Sequence, residues 1–392
     1  MLKKLSLAAL VAMGGMSFAN ATPLTEAIKN VDLNGMLRIR FYNEDPDGQH
    51  GYRRWRTNGI FIFKVPVAEN LKMVVRNSVQ TNVSVHDDNI ASNGPTSNVD
   101  DTIANNLLFM AYSKDGFNAI LGKIPVATPV TSADPVTPGH GAGAIATYKI
   151  NDNFTAGAFF IDALKQGGSE ATSVGLPAVI AHNIAGVAGI FNTDLVDGQL
   201  WYFNVNNVVD SLVALSLDAY LPIEYKVGIH FDYVLGDLNN DFASAYNLSK
   251  DPKNYFNVAL TTNIGEISAK LGYAYSDKHR GVTVFAADAP IGAVIPTANN
   301  YNIANKTETS SIYGKFGYKV DPKTCVYLAA QYQDAGSKSG NSNNDLAEYT
   351  IGGSYKMNKK LSFSAYYDIA DWDDNADYYD NNEFRFEAKY TF

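Results

Sequence analysis

Six of the eight arginines in this 392-residue chain, Arg38, Arg40, Arg53, Arg54, Arg56 and Arg76, fall before residue 77. A guanidinium is permanently charged and offers a rigid fork of donors suited to carboxylates and phosphates. Five of the six, Arg38, Arg40, Arg54, Arg56 and Arg76, stand at even positions, and an extended chain puts alternate residues on one face. Arg385 and Lys389, near the other end of the chain, repeat that spacing. The chemistry on offer is a basic wall able to select or retain anionic groups, because rings of charge are how pores discriminate ions. The plainer use of the same residues is to solvate a polar surface, and parity does not report depth. Acidic partners are expected from Asp134 and Asp162, with Asp218 and Asp232 sharing the parity of polar neighbours. The phase around Asp162 is ambiguous.

Other chemistries are weaker. His50, His86, His140, His182, His230 and His279 stand singly, without a Gly-x-Ser-x-Gly elbow or a two-histidine metal spacing. An enzyme is therefore not expected. The run Asp371-Trp372-Asp373-Asp374-Asn375-Ala376-Asp377 opens like a calcium loop, but Ala376 occupies the required glycine position and Asn382 the bidentate glutamate position. It reads as an ordinary acidic loop that attracts divalent ions only weakly. With 40 acidic against 31 basic side chains, a formal charge of −9, the chain is no generic nucleic-acid binder.

The elements that position these residues are legible from composition and period. Hydrophobic residues make up 46% of the chain, yet mean hydropathy is −0.15, so apolar residues are diluted among polar ones. Thirty-one Gly, 24 Tyr and 20 Phe with one Cys exclude disorder and a disulfide scaffold. Lys3-Lys4, the apolar run Leu5 to Phe18 and Ala19-Asn20-Ala21 form the pattern of a secretory leader cleaved after Ala21. Residues 1–21 are thus expected to be a signal peptide and residues 22–392 one domain. No later stretch has the ~18 uninterrupted apolar residues of a spanning helix.

Alternation replaces it. Leu33, Leu37, Ile39 and Phe41 oppose Asp32, Asn34, Arg38 and Arg40, and Ile229, Phe231 and Tyr233 oppose His230 and Asp232. Tight breaks such as Lys114-Asp115-Gly116, Gly265-Glu266 and Asn358-Lys359-Lys360 take turns with long ones, Val83 to Ala104, Pro125 to Ala142, Ala163 to Ala181, Gly236 to Asn254 and Ser276 to Glu308 among them. Alternating turns and loops describe an all-β, transmembrane, antiparallel up-and-down β-barrel of about 18 strands with both termini on the turn side. Tyr42, Trp55, Tyr112, Tyr233, Tyr255, Tyr275, Tyr318, Tyr355 and Tyr390 suit the aromatic girdles of its apolar face. A barrel of that width is expected to hold water, which makes it a pore.

The chain ends Glu383-Phe384-Arg385-Phe386-Glu387-Ala388-Lys389-Tyr390-Thr391-Phe392, alternating to an aromatic terminus of the kind that outer-membrane barrels present to the assembly machinery. The start, Ala21-Thr22-Pro23-Leu24-Thr25-Glu26-Ala27-Ile28-Lys29-Asn30-Val31-Asp32-Leu33-Asn34-Gly35 followed by Leu37-Arg38-Ile39-Arg40, resembles the mature start of the major outer membrane porins of Campylobacter and related epsilonproteobacteria. That resemblance implies a homotrimer in the bacterial outer membrane, passive diffusion of small hydrophilic solutes and ions, and a third extracellular loop folded into the lumen. Pro125 to Ala142, proline-stiffened and lightly charged, fits such a loop, with Asp134 and His140 as its polar groups. The resemblance also implies calcium near the constriction in some relatives; none of their ligands carries over residue by residue, and Asp134 and Asp162 are the candidate metal ligands here on their own chemistry. A substrate-specific channel and a barrel-mounted adhesin are the alternatives to a general porin.

Overall fold

The computed structural model describes residues 29–392 except 48–50, 90–93, 137, 166–178, 223–226, 293, 299–300, 337–344 and 374–379, and the expected leader and residues 374–377 of the acidic loop lie outside the described residues. The first strands are β1 (Asp32–Pro46), β2 (Tyr52–Ala68), β3 (Leu71–Asn89), β4 (Gly94–Lys114), β5 (Phe117–Pro125), β6 (His140–Lys149) and β7 (Phe154–Lys165). A two-residue piece, β8 (Val179–Ile180), hooks onto the end of β7, which pairs directly with β9 (Ile184–Asn192). The sheet continues through β10 (Val196–Val205), β11 (Val209–Tyr220), β12 (Gly228–Leu238), β13 (Lys253–Ile264), β14 (Ile267–Ser276) and β15 (Thr309–Lys319). It ends with β16 (Thr324–Ala335), β17 (Leu346–Lys356), β18 (Leu361–Trp372) and β19 (Asn381–Thr391).

Every pairing is antiparallel, and β19 returns to β1 with Arg40 opposite Glu387 and Met36 opposite Thr391. The sheet is a closed 18-strand barrel. Closure leaves no edge, so each backbone group in the wall has a partner where lipid offers none. One rim carries tight turns because the residues there tolerate positive φ: Asp115 at 48° and Gly116 at 81° reverse the chain between β4 and β5.

The two faces differ as the alternation requires. Leu37, Ile39, Leu271, Leu328 and Ile351 are exposed on the outside, whereas Arg38, Asn58, Asp232, Glu348 and Asp368 are buried within. A basic side chain on the lipid face at mid-depth costs about 2–4 kcal/mol, which fixes the register of each strand.

Three sequence expectations are corrected. Val83 to Ala104 is not a long loop: β3 and β4 stay paired from Val83 opposite Val99 to His86 opposite Thr96, because Val79, Val83 and Val85 carry the two-residue alternation on into that stretch. Tyr42 and Tyr255 do not belong to the outer girdle, being 5% and 1% exposed and turned inward. Water does not fill the whole interior. The described residues of 126–139 and 277–308 lie against the inner wall, where Val130, Phe285, Ile291 and Ile303 join Phe159, Trp201, Phe203 and Leu212 of the strands in one apolar cluster. The two segments also hydrogen-bond to each other, Phe285 N–H to Val130 O at 2.7 Å and Ile291 N–H to Pro129 O at 3.1 Å. The ends of the longer segment are drawn together by buried Lys253, whose Nζ donates to the carbonyls of His279 (2.9 Å) and Lys306 (2.7 Å). A short helix, α1 (Asn240–Ala245), capped by the Asn239 side chain, bridges β12 and β13.

Candidate functional site

The basic wall is built by three neighbouring strands and the closing one. Arg38 and Arg40 on β1, Arg54 and Arg56 on β2, Arg76 on β3 and Arg385 on β19 turn to the same side, while Arg53, on the opposite parity, is exposed outside. Arg40 and Arg56 are direct cross-strand partners, an arrangement that destabilises like charges unless something intervenes. Carboxylate, amide and aromatic groups do so here. Arg40 donates from Nε to Glu387 and from Nη1 to the Tyr42 hydroxyl at 3.1 Å. Arg56 donates to Asn82 Oδ1 at 2.9 Å, and Arg38 donates twice to Asn58 Oδ1, at 3.2 and 3.0 Å.

Tyr42 is the centre of this group. Arg54 stacks over its ring at 4.4 Å, and Arg56 and Arg385 each lie 5.8 Å from the ring centroid. Arg385 also covers Tyr366 at 4.4 Å. A ring face attracts cations through its quadrupole, so the tyrosines hold guanidiniums in place without neutralising them.

The facing side comes from the inward segments. Arg76 Nη2 donates to the carbonyls of Pro135 and Val136, the latter at 3.0 Å, and thereby ties β3 to residues 126–139. Asp134 lies within electrostatic reach of Arg38, Arg56 and Arg76. Its backbone N–H donates to Asp288 Oδ2 at 3.0 Å, and Ser132 Oγ donates to the same oxygen at 2.7 Å, so the two segments present paired carboxylates. Burial, and the charge of Asp134, hold the Asp288 carboxyl above the usual carboxylate range.

The structure therefore brings together Arg38, Arg40, Arg54, Arg56, Arg76, Arg385 and Asp134. Asp162 stands apart, exposed at a bulge in β7 that interrupts the strand's alternation, and enters none of these contacts. Among the described residues no group of three or more His, Cys, Asp and Glu side chains is placed to hold a metal ion. Sequence reasoning missed Tyr42 and Asp288. Tyr42 shares the even parity of Arg38 and Arg40, and Asp288 is the one charged residue between Gly281 and Asn305; both signals were present.

The model of the Campylobacter major outer membrane protein family matches residues 1–392, the entire chain. The chain belongs to that family. Solved structures of the same fold include Pseudomonas aeruginosa OpdQ, at 15% identity and a TM-score of 0.69, with 93% of this chain and 99% of that one covered. Acinetobacter baumannii OccAB4 is similar at 12% identity and 0.69, over 92% and 98%. The outer membrane protein OpdK from Pseudomonas aeruginosa is similar at 12% and 0.70, over 93% and 99%. No curated protein matches the chain. This member of the major outer membrane protein family is an integral outer-membrane porin, a channel whose wall is the barrel described above.

Proposed function

We propose that this porin passes small hydrophilic solutes and ions by passive diffusion, and that its narrowest point lies between the arginine wall of β1–β3 and the Asp134–Asp288 edge of the inward segments. The observation that carries this reading is the Arg76 contact with residues 135 and 136, which holds an acidic edge opposite fixed guanidiniums. Opposed rows of charge orient a passing dipole and set ion preference, whereas net flow needs no conformational step. The channel chemistry is electrostatic, and the reading assigns no residue to catalysis.

The same reading takes the barrel as a homotrimer whose exposed apolar belt is covered by lipid, lipopolysaccharide and neighbouring copies, delivered by the barrel assembly machinery through Phe392. Calcium at the acidic edge would draw on Asp134 and Asp288 rather than on Asp134 and Asp162, and would take its remaining oxygens from carbonyls and water, since it needs six to eight.

The test is the reversal potential in a planar bilayer under a salt gradient. Replacing Arg38, Arg40 and Arg56 together by Ser is expected to move it toward cation preference. An unchanged potential rejects this placement of the constriction.

A further inference from the structure

A second lumenal site lies away from the arginine wall. A cavity of about 310 Å³ opens beneath the inward segments, floored by Ser216 and Asp218 of β11, His230 of β12, and Lys270 of β14, and roofed by Pro290 and Val294. The floor is polar and the roof apolar, the arrangement of a pocket that seats a small molecule rather than a water path.

Its charges are ordered. His230 lies between two carboxylates, Nδ1 2.8 Å from Asp218 and Nε2 2.7 Å from Asp232. Both ring nitrogens can donate only in the imidazolium form, so the trio carries one net negative charge. Asp232, also in the pocket wall, is fully buried; its Oδ2 additionally accepts from Asn257, and its Oδ1 has no hydrogen-bond partner among the described residues. A buried carboxylate oxygen without a donor leaves the trio an incompletely compensated anion. Asp218, by contrast, is half-exposed and reachable from the lumen. On the other side, the Lys270 ammonium makes one hydrogen bond among the described residues, to Val294 O at 2.6 Å, and lies over the Tyr313 ring at 5.4 Å, which leaves donors to spare. The pocket is thus a fixed dipole with an apolar lid: negative at β11 and β12, positive at β14, and close to neutral in sum.

We propose that this pocket binds small zwitterions of the α-amino acid class, with the ammonium on Asp218, the carboxylate on Lys270 and an apolar side chain under Pro290 and Val294. A simple cation meets Lys270 and a simple anion meets Asp218, so each is opposed by one end of the dipole; a solute carrying both charges is favoured by both ends. Asp232 and His230 act as support: Asp232 holds the His230 ring from behind at 2.7 Å, and His230 holds the Asp218 carboxylate toward the pocket. The site shares no wall residue with the arginine group, so it can fail while the constriction reading stands.

The test is single-channel current through the whole porin at neutral pH with L-valine as the probe. Isobutylamine and isobutyrate, each carrying one of the two charges, serve as controls. Valine is expected to block saturably, and Asp218→Asn or Lys270→Gln is expected to raise the half-blocking concentration roughly tenfold or more, as loss of one charge-assisted contact would. Either control blocking as tightly as valine, no saturable block by valine, or a half-blocking concentration unchanged in both variants would overturn the proposal. Should either variant fail to form channels, Val294→Trp decides: it fills the pocket from the roof, and valine block surviving it overturns the assignment.

Discussion

Arg76 Nη2 donates to the backbone carbonyl of Val136 at 3.0 Å, joining the barrel wall to an inward segment 60 residues further along the chain. The same nitrogen donates to Pro135 O. Hydrogen bonds from a charged donor contribute roughly 1.5–3 kcal/mol each. Arg76→Ala should therefore release residues 135 and 136 from the wall, raising single-channel conductance and open-channel noise. Arg76→Lys, a single point donor, should fall between the two. A conductance equal to wild type in Arg76→Ala would show that the apolar packing of Val126 and Val130 suffices to hold the segment.

The acidic edge makes a pH prediction whose sign is determined. The Asp288 carboxyl is raised by burial and by Asp134, so its folded-state value lies above its unfolded one. Its contribution to stability is complete below the unfolded value and is lost as pH rises through the folded one. Acidification through the raised carboxylate range should neutralise Asp288 before ordinary carboxylates, leave the arginines less opposed and shift reversal potential toward anions. Asp288→Asn should shift it the same way at neutral pH and flatten the profile in that window. A variant profile that overlays the wild-type one would remove Asp288 from the selectivity of the pore.

The β1–β19 seam that closes the barrel is extended at its terminal end by an exchange between Gly35 and Phe392: Gly35 N–H donates to Phe392 O at 3.0 Å, and Phe392 N–H to Gly35 O at 3.2 Å. The Phe392 ring also approaches Phe61, with centroids 6.1 Å apart. Deleting Phe392 removes both bonds, worth about 0.5–1.5 kcal/mol each, from the seam. The expected result is a lower heat-denaturation midpoint on gels and reduced surface levels in cells. Gly35→Ala attacks the same seam from the other strand, because a Cβ there would meet Phe392 Cζ at 2.8 Å, and it also strains the β1–β2 pairing, meeting Ile60 O at 2.0 Å. Overpacking of that kind costs about 1–3 kcal/mol. Wild-type heat resistance in both variants would contradict the seam's importance.

Tyr42 offers a separation of ring from hydroxyl. Tyr42→Phe keeps the face beneath Arg54, Arg56 and Arg385 and loses only the acceptor for Arg40. Tyr42→Ala loses all of it, and each ring–cation contact is worth about 0.5–2 kcal/mol. Ion selectivity should be nearly unchanged in the first variant and weakened in the second, where the guanidiniums are free to spread. Equal selectivity in both would mean that the hydrogen bonds to Glu387, Asn82 and Asn58 alone hold the wall.

The sequence by itself determined most of the strands, though not the pairing of β3 with β4 beyond Val83, the face on which the wall arginines stand, and the closure that sets β19 beside β1. These follow from a period of two residues, since a wall between lipid and a polar interior must alternate. Even Tyr42 is legible, because its parity is that of Arg38 and Arg40, although a tyrosine near a strand end equally suits a girdle. The lightness of charge that marked 125–142 as an inward segment also marks 281–305, whose one charged residue is Asp288. Only the tertiary structure decided which carboxylates meet the arginines and which pocket forms around Lys270. Alternation reports direction but not depth, a bulge such as that at Asp162 resets it, and a loop's destination depends on apolar contacts with strands a hundred residues away that no local spacing records.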